Sequence, residues 1–195
     1  MHPIDSGTDL TETCIEGASV YRGKLLHVRC DRVRLPDGME ATREYIVHPG
    51  AVAMVALLDD GRVVMERQYR YPLGGDLLEL PAGKIDPGED ALATAQRELL
   101  EETGYVASSW ALLTTMEPLA AYSTERIYIY LARGLEHKAR SLDEEEFLEV
   151  FAEPLSELLD GVRTGRITDA KTQIGLFWAE KVLAGAWTAA PTSRD

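Results

Sequence analysis

The stretch Ala51-Val-Ala-Met-Val-Ala-Leu-Leu58 has no polar side chain. A strand with one wet face alternates, whereas a continuous apolar run marks a strand buried on both faces. This run therefore commits the chain to a layered fold with cover on each side of a sheet. Asp59-Asp-Gly61 turns it into a second strand over residues 62–70. Upstream, residues 20–47 alternate around a break at Pro36-Asp-Gly38, the pattern of a β-hairpin. Downstream come a Pro/Gly connection at 72–75, a short apolar run at 77–81 and a loop at 83–88. Residues 89–103 are then expected to form an amphipathic helix, with Leu92, Ala95, Leu99 and Thr103 inward. Gly104 supplies its C-terminal stop. Strands are expected at 110–115, 126–132 and 147–153, and helices at 155–162 and 169–183. The order gives an α+β chain: an α/β/α sandwich around a mixed sheet, with an N-terminal β-hairpin extension.

Three segments are expected: a β extension over 1–48, a main domain over 49–188 and a frayed tail over 189–195. The formal net charge of −13 argues against nucleic acid and against an anionic membrane as partners. An acidic chain still binds phosphate-rich ligands when a divalent cation supplies the positive charge. No run approaches the ~18 apolar residues of a spanning helix. Neither the two cysteines nor the four histidines have metal-site spacing, and a cytoplasmic location is the default expectation.

The chemistry is concentrated in residues 83–105. Gly83 is followed at fixed spacing by Glu89, then Arg97-Glu98-Leu99, then Glu101-Glu102, then Gly104-Tyr105. On an α-helix Glu98, Glu101 and Glu102 share one face, where like charges repel. A solvated acidic face is the bland reading of such a cluster. The alternative is a site for a hard divalent cation, which takes one or two carboxylates together with substrate phosphate oxygens. The glycine-bounded loop before the helix lets backbone approach a ligand closely.

This segment resembles the Nudix box at every defined position, and the flanking residues resemble the ADP-ribose and nucleoside-diphosphate-sugar pyrophosphatase branch of that family. The flanks in question are Arg67-Gln-Tyr-Arg70 and Leu78-Glu-Leu-Pro-Ala-Gly-Lys-Ile85. The resemblance implies a Nudix-type sandwich and Mg²⁺, with Mn²⁺ as the alternative. Glu98, Glu102 and the backbone carbonyl of Ala82 would be metal ligands, and Glu101 a ligand or a neighbouring carboxylate. Arg97 would orient the acidic cluster, a role suited to a planar guanidinium, and Glu89 would organise the loop. Arg70 would clamp phosphate. Arg67 is a second candidate, although strand alternation turns it to the opposite face from Arg70. Glu79 would bind ribose hydroxyls or a water of the metal. The general base would come from the acidic loop after the box, Glu144 first and Glu146 second.

Farther on, the branch carries a Pro-Gly pair where this chain has Ala120-Ala121, while Glu125 is retained and Tyr122 either stacks on a base or packs. That departure bears on the substrate and not on the hydrolytic chemistry. The resemblance implies a homodimer that cuts ADP-ribose to AMP and a sugar phosphate. GDP-mannose or another nucleoside-diphosphate sugar is the alternative substrate. An ADP-ribose sensor without catalysis is the alternative of another class, disfavoured because the box carboxylates are all present.

Overall fold

A computed structural model describes residues 7–138 and 147–191. The chain divides into two compact units. One holds the described residues up to His48 together with Leu119–Glu125, and the other holds Pro49–Pro118 and the described residues from Arg126 onward. The segment Leu119–Glu125 is thus assigned to the first unit, whereas the sequence placed it in the main domain.

The first unit is an antiparallel sheet of β1 (Thr13–Arg22), β2 (His27–Arg34) and β3 (Glu40–Ile46). The expected hairpin is β2–β3, closed by the bond from the Gly38 N–H to the Leu35 carbonyl. Two things differ from expectation. The chain turns at 23–26, where the Gly23 N–H donates to the Leu26 carbonyl, so 20–35 is not one run. The polar residues before it form a third strand, β1, almost wholly exposed. Its register with β2 shifts twice, so periodicity gave no warning of it. Ile46 forms a parallel bridge to Ser123 within this unit.

The second unit is built on a sheet of β4 (Ala51–Leu57), β5 (Arg62–Arg70), β8 (Tyr105–Met116), β9 (Ile127–His137), β10 (Leu148–Pro154) and β11 (Ala190–Pro191). Their order is β10-β5-β4-β9-β8-β11, with β6 (Gly75–Glu79) on β5 and β7 (Ala82–Lys84) on β4. β4 and β9 run parallel and the other pairs antiparallel, so the sheet is mixed. β4 explains the layering. Ala53, Val55 and Leu57 pack with Leu158, Ile167, Leu176 and Ala179 from α2 (Leu155–Thr164), α3 (Ala170–Leu183) and the turn between them. Val52, Met54 and Ala56 pack with Ala95 of α1 (Ala91–Glu98) and with Leu99 just beyond it. Odd residues face one helical layer and even residues the other, which is the α/β/α sandwich. The tail differs from expectation, since Ala190–Pro191 pair with Leu112 and Ala111 of β8. The alternation in 189–191 is too short to announce a strand.

Candidate active site

The site begins with how α1 starts and stops. Asp90 is its N-cap, accepting from the Ala93 N–H at 2.8 Å. The helix was expected from Glu89, but a cap residue lies outside the helical turn, so Glu89 is left in the loop with its carboxylate available. That carboxylate accepts from Arg97 Nε at 3.1 Å, from Arg97 Nη2 at 2.9 Å and from the Thr94 hydroxyl at 2.8 Å. These bonds, those from Arg97 first, pull Glu89 down to about 2.

After Glu98 the helix widens into a π turn over Leu99–Thr103, which Gly104 ends in the left-handed region at φ 76°. The expected grouping is kept in part across this turn: Arg97 Nη1 meets Glu98 and Glu101 together, and Glu98 and Glu102 both lie against the Ala82–Gly83 backbone. Glu101 remains half-exposed against Arg97 Nη1 at 2.8 Å. Glu102 is only 6% exposed and accepts from the Ala82 backbone N–H at 3.0 Å. Glu98 lies 3.0 Å from Arg97 Nη1 and sits directly over Gly83: a Cβ added there would be 2.0 Å from the Glu98 carboxyl carbon. Arg97 thus contacts Glu89, Glu98 and Glu101 together, and the bond to Glu89 is the main reason its own pKa rises.

Glu98 and Glu102 therefore converge on the Ala82–Gly83 backbone, two carboxylates beside one strand. Among the described residues, no three Asp, Glu, His or Cys side chains form a ready-made metal cluster. Two carboxylates side by side nevertheless suit a hard divalent cation, which takes few protein ligands and keeps room for water and phosphate. The missing side chain at Gly83 is what lets the Glu98 carboxyl lie against this backbone, and the donor set fits such an ion.

Beside these carboxylates lies a charged group at the end of β5 and β6. Glu79 is 3% exposed and accepts from Arg70 Nε at 2.7 Å and Nη2 at 3.0 Å. Lys171 Nζ donates to Oε2 of the same carboxylate, the oxygen that also accepts from Arg70 Nη2, and lies 3.1 Å from Asp169. Burial alone would push Glu79 up, but Arg70 and Lys171 together outweigh it and hold the carboxyl below its ordinary range. Asp169 caps α3, accepting from the Thr172 N–H at 2.9 Å and its hydroxyl at 2.6 Å. That hydroxyl accepts in turn from the Leu80 N–H at 2.9 Å. The start of α3 thereby fixes the β6–β7 segment that carries Ala82.

Arg67 does not join this group. Arg67 pairs with Glu149 of β10 and, at 3.4 Å, with Asp76, in an exposed group without Arg70. Residues three apart on a strand face opposite ways, which accounts for the separation. Tyr122 and Glu125 belong to the first unit. There the Tyr122 carbonyl accepts from the Ile46 N–H, and Glu125 lies 3.7 Å from His48 Nε2. Glu144 and Glu146 lie outside the described residues. The sequence reading missed Lys171, Asp169 and Thr172. Asp169 is legible as an N-cap, but Lys171 meets a carboxylate 92 positions away, which no local pattern shows.

Residues 47–172 match the model of the NUDIX domain, and residues 12–46 match that of the nucleoside diphosphate sugar hydrolase N-terminal domain. The chain is 38% identical over 173 residues to the ADP-ribose pyrophosphatase of Bacillus subtilis (strain 168), covering 88% of this chain and 94% of that protein. It is 39% identical over 171 residues to the methanol dehydrogenase activator of Bacillus methanolicus, covering 87% and 92%. Among solved structures it resembles an ADP compounds hydrolase with a TM-score of 0.81 at 26% identity, over 91% of this chain and 97% of that one.

Proposed function

The chain belongs to the Nudix family, and from that premise we propose that it hydrolyses the pyrophosphate bond of ADP-ribose, giving AMP and a sugar phosphate. The observation that carries the proposal is the convergence of Glu98 and Glu102 on Ala82–Gly83 beside the Arg70–Glu79–Lys171 group. One half of that arrangement suits a cation and the other a diphosphate. The similarity to the ADP-ribose pyrophosphatase of Bacillus subtilis supports the choice of nucleotide.

Nudix hydrolases generally work with a divalent metal, and here we take it to be Mg²⁺, held by Glu98, Glu102 and the Ala82 carbonyl. Such an ion would neutralise charge on the pyrophosphate and make a water more acidic. Every other task falls to side chains. Arg97 fixes Glu98 through one guanidinium nitrogen while Glu89 and Glu101 hold that guanidinium in place. Arg70, partly exposed, presents a guanidinium to a phosphate oxygen, for which its planar fork is suited. Glu144 accepts the proton of the attacking water, an assignment resting on the resemblance of its loop to that of the family, with Glu146 as second choice.

The rest of the proposal concerns assembly and setting. Val20 and Tyr21 of β1, Leu25 in the turn after it and Met39 just before β3 are exposed, which supports a homodimer that covers them. Free thiols at Cys14 and Cys30 support a cytoplasmic setting.

The test is a comparison of kcat/KM for ADP-ribose and GDP-mannose with Mg²⁺, with released phosphomonoester read after phosphatase treatment. ADP-ribose should be the better substrate. A faster reaction with GDP-mannose would move the substrate assignment to that sugar and give Ala120-Ala121 a meaning. Tight binding of ADP-ribose with no turnover of either compound would favour a sensor.

A further inference from the structure

Two cations share one buried carboxylate at the edge of the site. Glu79 is 3% exposed; it accepts from Arg70 through both carboxylate oxygens, and its Oε2 accepts from Lys171 as well. The two cations differ in freedom. The Arg70 side chain is 41% exposed, whereas that of Lys171 is 13% exposed and pinned between Glu79 and Asp169. Lys171 is held from the first turn of α3, which is itself tied to β6 through Thr172 and Leu80. One partner is therefore built to stay and the other is able to leave.

Departure of Arg70 would matter. A guanidinium that gives its Nε–Nη2 fork to Glu79 keeps only its outer edge for a diphosphate, yet turning that fork away from a buried carboxylate with no other cation would leave the charge uncompensated, at large cost. Lys171, which Glu79 shares with Asp169, lowers this cost. We propose that Lys171 is a positioning residue that keeps Glu79 compensated when Arg70 turns from it to the substrate's pyrophosphate. The exchange rests on the functional reading above, in which Arg70 meets phosphate. The sharing of Glu79 by the two cations does not.

Two measurements test it. The first needs no substrate: urea unfolding of Arg70→Met, Lys171→Met and the double variant. With either cation able to hold Glu79, each single change should lower the midpoint only slightly, and the double change should lower it by more than the two single shifts added. Additive shifts would overturn the sharing. The second is steady-state kinetics on ADP-ribose. Lys171→Met should raise KM roughly 10- to 100-fold, the worth of charged hydrogen bonds that Arg70 must now abandon without replacement. Its kcat should change little, and Lys171→Arg, which keeps the charge, should restore KM. A KM equal to that of wild type, or a loss confined to kcat, would overturn the proposal. Failure of the wild-type protein to cut any nucleoside-diphosphate sugar would instead sink the functional reading. The urea cycle would still decide whether Lys171 and Arg70 share Glu79.

Discussion

Replacing Gly83 with alanine should remove activity while leaving the fold intact. Gly83 lies in β7, so an alanine there meets no backbone strain of the left-handed kind. Its methyl carbon, however, would stand 2.0 Å from the Glu98 carboxyl carbon, where ordinary contact begins at 3.4 Å. The carboxylate must therefore retreat by about 1.4 Å. The Glu98 Cγ, 2.5 Å from the same point, must move with it, so the retreat costs a shifted rotamer, about 0.5–1.5 kcal/mol. Removing a glycine from the unfolded chain returns about 0.4–1 kcal/mol. The two nearly cancel, and urea unfolding should find the variant close to wild type. Catalysis has no such offset, because a displacement of about 1 Å in a positioned group costs on the order of 10² in rate. Titrating the divalent ion in the kcat/KM assay should also show a weaker metal dependence curve, displaced to higher concentration. Activity within about three-fold of wild type, less than 1 kcal/mol of barrier, would refute the placement of Glu98 over Gly83 as functional. Global unfolding would refute the steric argument.

Other perturbations follow from the same geometry. Glu98→Gln and Glu102→Gln should each lower kcat by at least ~10²-fold without loss of folding in a circular-dichroism melt; near-full turnover in both would remove them from the metal site. Glu144→Gln should lower kcat by roughly 10²–10⁴-fold with KM little changed, and an effect confined to Glu146→Gln would shift the base by two residues within the same loop. Arg67→Ala should leave KM for ADP-ribose near the wild-type value, and a large rise would mean that its pairing with Glu149 gives way to substrate. For pH, Glu89 is depressed from 4.5 to about 2. Its contribution to stability is present above the ordinary carboxylate pKa and is lost as pH falls from about 4.5 toward about 2. A Glu89→Gln protein should lack that part of the acid unfolding profile, and an unchanged profile would contradict the Arg97–Glu89 pairing.

How much of this was legible in the sequence depended on whether the governing interaction is local. The apolar run 51–58 announced a doubly buried strand, and β4 is that strand with its odd and even residues facing different helical layers. Residues 62–70 and the helices after 155 were equally plain, because turn residues and period are short-range signals. The acidic box was visible as spacing, but its three-dimensional form was not. A π turn is not encoded by apolar period, so the widening of the helix over Leu99–Thr103 beneath these carboxylates was not foreseen. β1 escaped notice because it buries almost nothing and so has no alternation to read. Lys171 escaped for a different reason: a lysine one residue into a helix looks like solvated surface until the fold brings β6 against it. Arg67 and Arg70 were separable in sequence by strand alternation, and their partners, Glu149 and Glu79, follow that separation.

The central claim is that this protein breaks a pyrophosphate bond of ADP-ribose with a divalent ion and water. Incubation with ADP-ribose and Mg²⁺ in ¹⁸O-labelled water, followed by mass spectrometry of the products, tests it most directly. AMP and ribose 5-phosphate should accumulate in equal amounts, with one labelled oxygen in one of the two phosphates, and EDTA should stop both. ADP-ribose recovered intact, or products carrying no label, would contradict it.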